Sequence, residues 1–316
     1  MEGSQLTTVE QLSSIWSLGG LTVGRLVKKV WAGINDNDLF GLASELAYSF
    51  ILSLFPLLIF LLSLFGLFAS RGTQLRTSLM FYLSQVLPPA GFDVISKTIA
   101  EVTRNTGSGK ITLGLFLALL TASGGVSAMM SGLNHAYSVK ETRSWFKVRG
   151  VALLLTIALA VLVTAALALV LAGGYIANWA GAVLHAGSVF VTAWEVLQWI
   201  LALFFIMLSF SLIYFYGPDL KEQHWYWITP GSVVGVLLWV GASFAFRAYL
   251  HYFNSYSKTY GSLGAVIILL VWFYVTGFAF LVGGEINAQI EHAAALRGHP
   301  EAKAPGEKVA PADKAA

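Results

Sequence analysis

The chain has 316 residues, 57% of them hydrophobic and 11% charged, against about 25% charged in an ordinary soluble domain. A mean hydropathy of +0.72 and repeated apolar runs exclude a soluble globular fold and indicate a polytopic integral membrane protein. The net charge of +3 sits mostly at the ends of the apolar runs, so it reads as topology and anionic-lipid contact rather than nucleic-acid binding, and the absence of cysteine excludes disulfides, thiolate metal sites and cysteine nucleophiles.

Residues 1–35 form a cytoplasmic amphipathic arm. Val23, Leu26, Val27, Val30 and Trp31 fall at helical spacing, with Arg25, Lys28 and Lys29 on the other face. Such a helix either lies along the membrane surface with its cations toward lipid phosphates or packs on the protein's own membrane-facing end.

Residues 36–292 form the membrane domain, expected to be all-α with six transmembrane helices. The spans run over 42–69, 111–137, 151–174, 191–216, 230–253 and 262–290. Each supplies the roughly 20 residues needed to cross about 30 Å of hydrocarbon. Asn35, Asp36, Asn37 and Asp38 offer N-caps before the first span, and Pro230 suits the first turn of the fifth. Segment 70–110 is expected to be an outer helical insertion of two short amphipathic helices separated by Pro88-Pro89. The tail 293–316, rich in Ala, Pro, Glu and Lys, is expected to be disordered and cytoplasmic.

Orientation follows from Lys and Arg. The 138–150 connection holds Lys140, Arg143, Lys147 and Arg149, whereas the 174–190 connection holds none. That bias places both termini inside, although the 70–110 segment, with five cations, dissents.

The motifs LSLFP (52–56), GLNHAY (132–137), PG (230–231), LLW (237–239), KTYGSLG (258–264), LLVWFY (269–274) and GGEINA (283–288) occur in this order. Together they resemble the YihY/virulence factor BrkB family, over about residues 30–292. The resemblance implies a bacterial inner-membrane protein with six transmembrane helices. It brings no catalytic residues. Members were once labelled ribonuclease BN, which is regarded as a misannotation, and others are linked to serum resistance or envelope-lipid phenotypes.

Ionisable groups inside spans point to function, because each costs roughly 2.5 kcal/mol or more at mid-membrane. Glu45 and Glu285 fall near the inner ends of their helices, Glu195 and Arg247 toward the outer side. The expected inner cluster holds Glu45, Asn134, Glu285 and Asn287 near Arg143 and Arg149. The expected outer cluster holds Glu195 and Arg247 with Lys258 and Tyr260 above. Depth disfavours an Arg247–Glu285 pair. The bland alternative is that these charges snorkel or fix helix packing.

Pro56 removes a backbone hydrogen bond and frees the Leu52 carbonyl, which Ser49 or Ser53 could satisfy; a kink there would open a groove or be filled by a neighbour. Gly124, Ala128 and Gly132 suit close helix packing, or a cavity wall together with Ser123, Ser127 and Ser131. Weak echoes between Glu45 and Glu195, and between Asn134 and Asn287, hint at inverted repeats.

The reading that follows is a transporter or transbilayer handler of a lipid or amphipathic envelope molecule, with membrane lipids, among them an anionic lipid or lipopolysaccharide precursor, as partners. No cofactor, metal or nucleic acid is expected, and the oligomeric state is open. The alternatives are a small-solute or ion transporter and a non-catalytic scaffold for envelope machinery. Enzyme chemistry is disfavoured, because the six histidines are scattered and no P-loop, G-x-S-x-G or H-E-x-x-H occurs.

Overall fold

The computed structural model describes residues 16–69, 109–183, 188–221, 228–252, 262–299 and 302–309. They form a short 3-10 turn, Leu18–Gly20, and seven helices: α1 Val23–Asp36, α2 Leu39–Ala69, α3 Gly109–Ala136, α4 Trp145–Val183, α5 Ser188–Tyr216, α6 Pro230–Tyr252 and α7 Ser262–Leu296. The outer insertion expected within 70–110 lies, but for the first residues of α3, outside the described residues. Among the described residues, five helices are long and apolar enough to cross a membrane, over Phe116–Ala136, Trp145–Ala166, Thr192–Tyr216, Pro230–Leu250 and Val266–Leu296. In α2 the apolar stretch that can be assessed, Leu39–Leu54, is shorter than a crossing. The chain is therefore an all-helical polytopic membrane protein.

Local chemistry sets the helix starts. Asp38 takes up a positive φ of 46° and its Oδ1 accepts the Gly41 amide at 3.1 Å, capping α2. Thr229 and Ser232 exchange reciprocal bonds ahead of α6: the Ser232 amide donates to Thr229 Oγ1 at 3.0 Å, and the Thr229 amide to Ser232 Oγ at 2.9 Å. Pro230 then occupies the first turn, where its missing N–H is not needed.

The helices pack in a closed circuit, α2 on α3, α3 on α4, α4 on α5, α5 on α6, α6 on α7 and α7 on α2, with α7 also against α3 and α1. The principal core lies at the end of the bundle where α2 and α6 begin and α3, α5 and α7 finish. It is built from Leu39, Ala43 and Leu46 of α2, Leu133 of α3, Ile213 and Tyr214 of α5 and Phe280, Leu281 and Ile286 of α7. Leu26, Val30 and Ile34 of α1 complete it. Elsewhere large apolar side chains such as Leu154, Val161, Trp199 and Phe244 are exposed, as suits helices that face lipid.

The tail differs from expectation over part of its length. α7 continues to Leu296, and residues 302–309 lie against the loops between helices. The Lys221 amide donates to the Lys308 carbonyl at 2.9 Å, the Gly306 amide to the Tyr137 carbonyl at 3.3 Å, and Lys303, 3% exposed, pairs with Glu291 at 3.6 Å. Composition alone hid this, because a few polar anchors order a segment that lacks an apolar periodicity.

Candidate functional site

The motif residues converge on the inner hub, and most of them turn out to join helices. Gly283 stands where a Cβ would collide with Tyr214 Oη, and Gly231 where one would collide with the Gly283 carbonyl, so α6 and α7 cross in backbone contact. Tyr214 Oη donates to the Phe280 carbonyl at 2.7 Å. Asn287 fixes the start of α6: its Oδ1 accepts the Gly231 amide at 2.9 Å and its Nδ2 donates to Thr229 Oγ1 at 3.0 Å. A Cβ at Gly132 would lie 2.6 Å from Leu281, and one at Gly125 3.1 Å from Phe50, so the small residues of α3 serve close packing.

Glu285 is fully buried. Asn37 Nδ2 donates to its Oε2 at 3.0 Å and Gln289 Nε2 to its Oε1 at 2.7 Å. Gly33 of α1 lies against the same carboxylate, with no room for a side chain. Glu285 thus holds α1 and the α1–α2 turn to α7.

A second network ties the inner loops. Asn134 Nδ2 donates to Glu141 Oε2 at 3.0 Å while its Oδ1 accepts the Asp219 amide at 2.7 Å. Arg143 Nε and Nη2 clamp Glu141 at 2.8 and 2.7 Å, and Nη2 also donates to the Gly217 carbonyl at 2.8 Å. Asp219 accepts the Thr142 amide at 2.8 Å and the Thr142 hydroxyl at 2.7 Å, and it pairs with Lys308. Burial would raise the Asp219 carboxyl, but hydrogen bonds from Lys308 and Thr142 prevail and hold it down to about 2. Burial likewise opposes ionisation of Glu141, yet Arg143 and Asn134 keep it below the usual carboxylate range.

The expected inner cluster is therefore divided. Asn134, Glu285 and Asn287 occupy three separate sets of bonds at the same end of the bundle. Glu45 is exposed, on the side of α2 opposite Ala43 and Leu46, and does not join them. Arg143 belongs to the loop network. Arg149, four residues into α4, instead reaches α3, where it donates to the Leu120 carbonyl and, at 3.4 Å, to Ser127 Oγ. Its Nε is buried without a hydrogen-bond partner, and no carboxylate pairs with it among the described residues. Sequence reasoning placed Arg149 with the loop; its position inside the apolar run from Trp145 was the available signal for a cation at membrane depth.

Toward the other end, Glu195 lies on α5 and Arg247 on α6. Arg247 is exposed, and no carboxylate pairs with it among the described residues. Lys258 and Tyr260 lie outside the described residues. On another face of this part of α6, Phe246, Tyr249 and Leu250 line, with Ile267, Ile268 and Val271 of α7, an apolar cleft of about 280 Å³ that does not include Arg247. Pro56 is half-buried within the continuous helix α2. One turn before it, Ser53 Oγ accepts the Gly125 amide of α3 at 2.9 Å, a buried bond between two helices. Among the described residues no group of three His, Cys, Asp or Glu side chains is placed to hold a metal ion.

A family model described as Virulence factor BrkB matches residues 30–307. The ribonuclease-like protein YfkH of Bacillus subtilis (strain 168) is 34% identical over 247 residues, which is 78% of this chain and 88% of that protein. A UPF0761 membrane protein of Vibrio cholerae (El Tor Inaba N16961) is 31% identical over 258 residues, covering 78% of this chain and 80% of that protein. Another, from Vibrio vulnificus (strain YJ016), is 29% identical over 271 residues, 84% and 82% of the two chains. No solved structure matches. With its apolar helices, its inner hub built on GLNHAY, PG and GGEINA, and the family match over most of its length, the chain belongs to the virulence factor BrkB (YihY, UPF0761) family of multi-pass inner-membrane proteins.

Proposed function

We propose that this protein handles an anionic amphipathic molecule of the envelope, a phospholipid or lipopolysaccharide precursor, and moves its headgroup along the helix bundle between the two membrane faces. The observation that carries this reading is an exposed cation, Arg247, on the same stretch of α6 that forms one wall of an apolar cleft. An amphipathic anion needs a cation for its headgroup and an apolar channel for its chain. Arg247 stands exposed on α6, unpaired with any described carboxylate, and its helix neighbours Phe246, Tyr249 and Leu250 line an apolar cleft of about 280 Å³. It lies 17 residues along from Pro230, or roughly 25 Å of the ~30 Å hydrocarbon thickness, so it sits near headgroup level on the outer side. A guanidinium there can bond a phosphate in bidentate fashion.

Arg149 supports the same reading from within the bundle. It too is a span cation without a described carboxylate partner, and its guanidinium stands against Leu120 and Ser127 of α3. In this proposal six helices cross, α2 being the sixth, and both termini face the cytoplasm, where the loop cations Lys140, Arg143 and Lys147 lie. The ribonuclease-like name of YfkH does not transfer, because the hub carboxylates Glu285, Glu141 and Asp219 are bonded to protein donors.

Native mass spectrometry of the detergent-purified protein tests the binding step. The wild type is expected to retain an anionic lipid that Arg247→Ala loses while keeping its thermal stability. Equal retention by Arg247→Ala, or retention of zwitterionic lipid only, overturns the assignment of Arg247.

A further inference from the structure

The helix α1 carries two apolar faces, and only one of them is used by the protein. Leu26, Val30 and Ile34 are buried against the hub, with Gly33 pressed on Glu285. Val23, Val27 and Trp31, spaced by four, form a second stripe adjoining the first, and they are 67%, 62% and 65% exposed. At about 100° per residue the cations Arg25, Lys28 and Lys29 occupy the remaining arc, and all three are exposed. Round the helix the order is thus protein-facing, apolar and free, then cationic.

We infer that this free stripe is a docking surface for the anionic inner leaflet, with Val23, Val27 and Trp31 entering the acyl boundary and Arg25, Lys28 and Lys29 meeting lipid phosphates. Three features select a bilayer surface over a protein partner. The stripe is narrow, one side chain wide, which suits insertion between lipids better than a protein groove. The cations flank it along the helix, and each Lys or Arg near an anionic surface is worth about fivefold in binding. The helix is also held at the membrane end of the bundle by Asn37, which links its C-terminal turn to Glu285 on the span α7. Trp31 suits the headgroup boundary, where an indole is apolar on its face and polar at its edge. The inference is independent of the passenger proposed above.

The absence of native cysteine makes the test direct. Spin labels are placed on the full-length protein at Val27→Cys and, separately, at Arg25→Cys, in nanodiscs of phosphatidylcholine with or without phosphatidylglycerol. With anionic lipid, the label at 27 is expected to show high oxygen and low polar-relaxant accessibility, and the label at 25 the reverse. Reversing charge with Lys28→Glu and Lys29→Glu is expected to shift the label at 27 toward water, and the shift is expected to disappear without phosphatidylglycerol. A label at 27 as water-exposed as that at 25, or shielded equally from both relaxants as by a second protein surface, overturns the inference. So does lipid burial at 27 that charge reversal and lipid composition leave unmoved.

Discussion

Asp219 shows how one residue organises the inner loops. It receives bonds from Thr142 and Lys308, so it joins the α3–α4 loop, the α5–α6 loop and the tail. Its carboxyl is depressed to about 2 from an ordinary 3.8. A depressed carboxylate contributes stability that is present above its ordinary value and is lost as pH falls through the folded value. A spin label at Pro305→Cys should therefore stay immobilised from about pH 5 down to about pH 3 and loosen only toward about pH 2. Asp219→Asn should loosen it at neutral pH and cost about 1–3 kcal/mol of stability, because Lys308 and Thr142 then face a weaker acceptor. An immobile label in that variant would contradict the linkage. Glu285 makes a similar point inside the bundle. Both of its partners donate amide hydrogens, so Glu285→Gln sets an amide against one of them and should lower stability by about 1–3 kcal/mol, read as a thermal shift in detergent. None of these pairings was legible in the sequence. Helical position put Glu285 and Asn134 toward one end of the bundle, but which neighbour each would meet depends on rotation about helix axes, which an apolar run does not specify.

At the scale of elements the sequence was more informative. Spans two to six each fall on a helix long and apolar enough to cross a membrane, because an apolar run of roughly 20 residues has few alternatives in a bilayer. The starts at Asp38 and Pro230 were readable from cap chemistry. The small residues of α3 were readable as close packing or a cavity wall; that Gly283 meets Gly231 and Tyr214 required the helix crossing. Gly283→Ala should accordingly destabilise by about 1–3 kcal/mol, since its Cβ collides with a backbone carbonyl and a buried phenol. Gly24 of α1 has no atom within 4 Å of an added Cβ. Gly24→Ala should be neutral or stabilising by up to about 1 kcal/mol, as expected for alanine in a helix. Equal melting temperatures for the two variants would remove the backbone-crossing argument. The helix α1 itself reconciles two readings left open by periodicity: one apolar face packs on the hub while the neighbouring one stays free.

The whole molecule is a bundle closed tightly at one end by polar networks and a shared core, with cations at two levels along it. In the proposed orientation the closed end is cytoplasmic. A membrane-impermeant maleimide should then label Lys140→Cys only after the membrane is permeabilised, and Lys258→Cys in intact spheroplasts; the reverse pattern would invert the assignment of inner and outer sites. The central claim is transbilayer handling of an anionic headgroup by way of Arg247 and Arg149, and the most direct measurement is lipid movement in proteoliposomes. Fluorescent phosphatidylglycerol in the inner leaflet is followed by its accessibility to an external reductant. The account predicts that wild-type protein exposes this pool faster than protein-free liposomes do, and that Arg247→Gln or Arg149→Gln slows exposure by roughly tenfold, the cost of one lost charge-assisted hydrogen bond. Movement no faster than in empty liposomes, or movement that both variants leave intact, would contradict it.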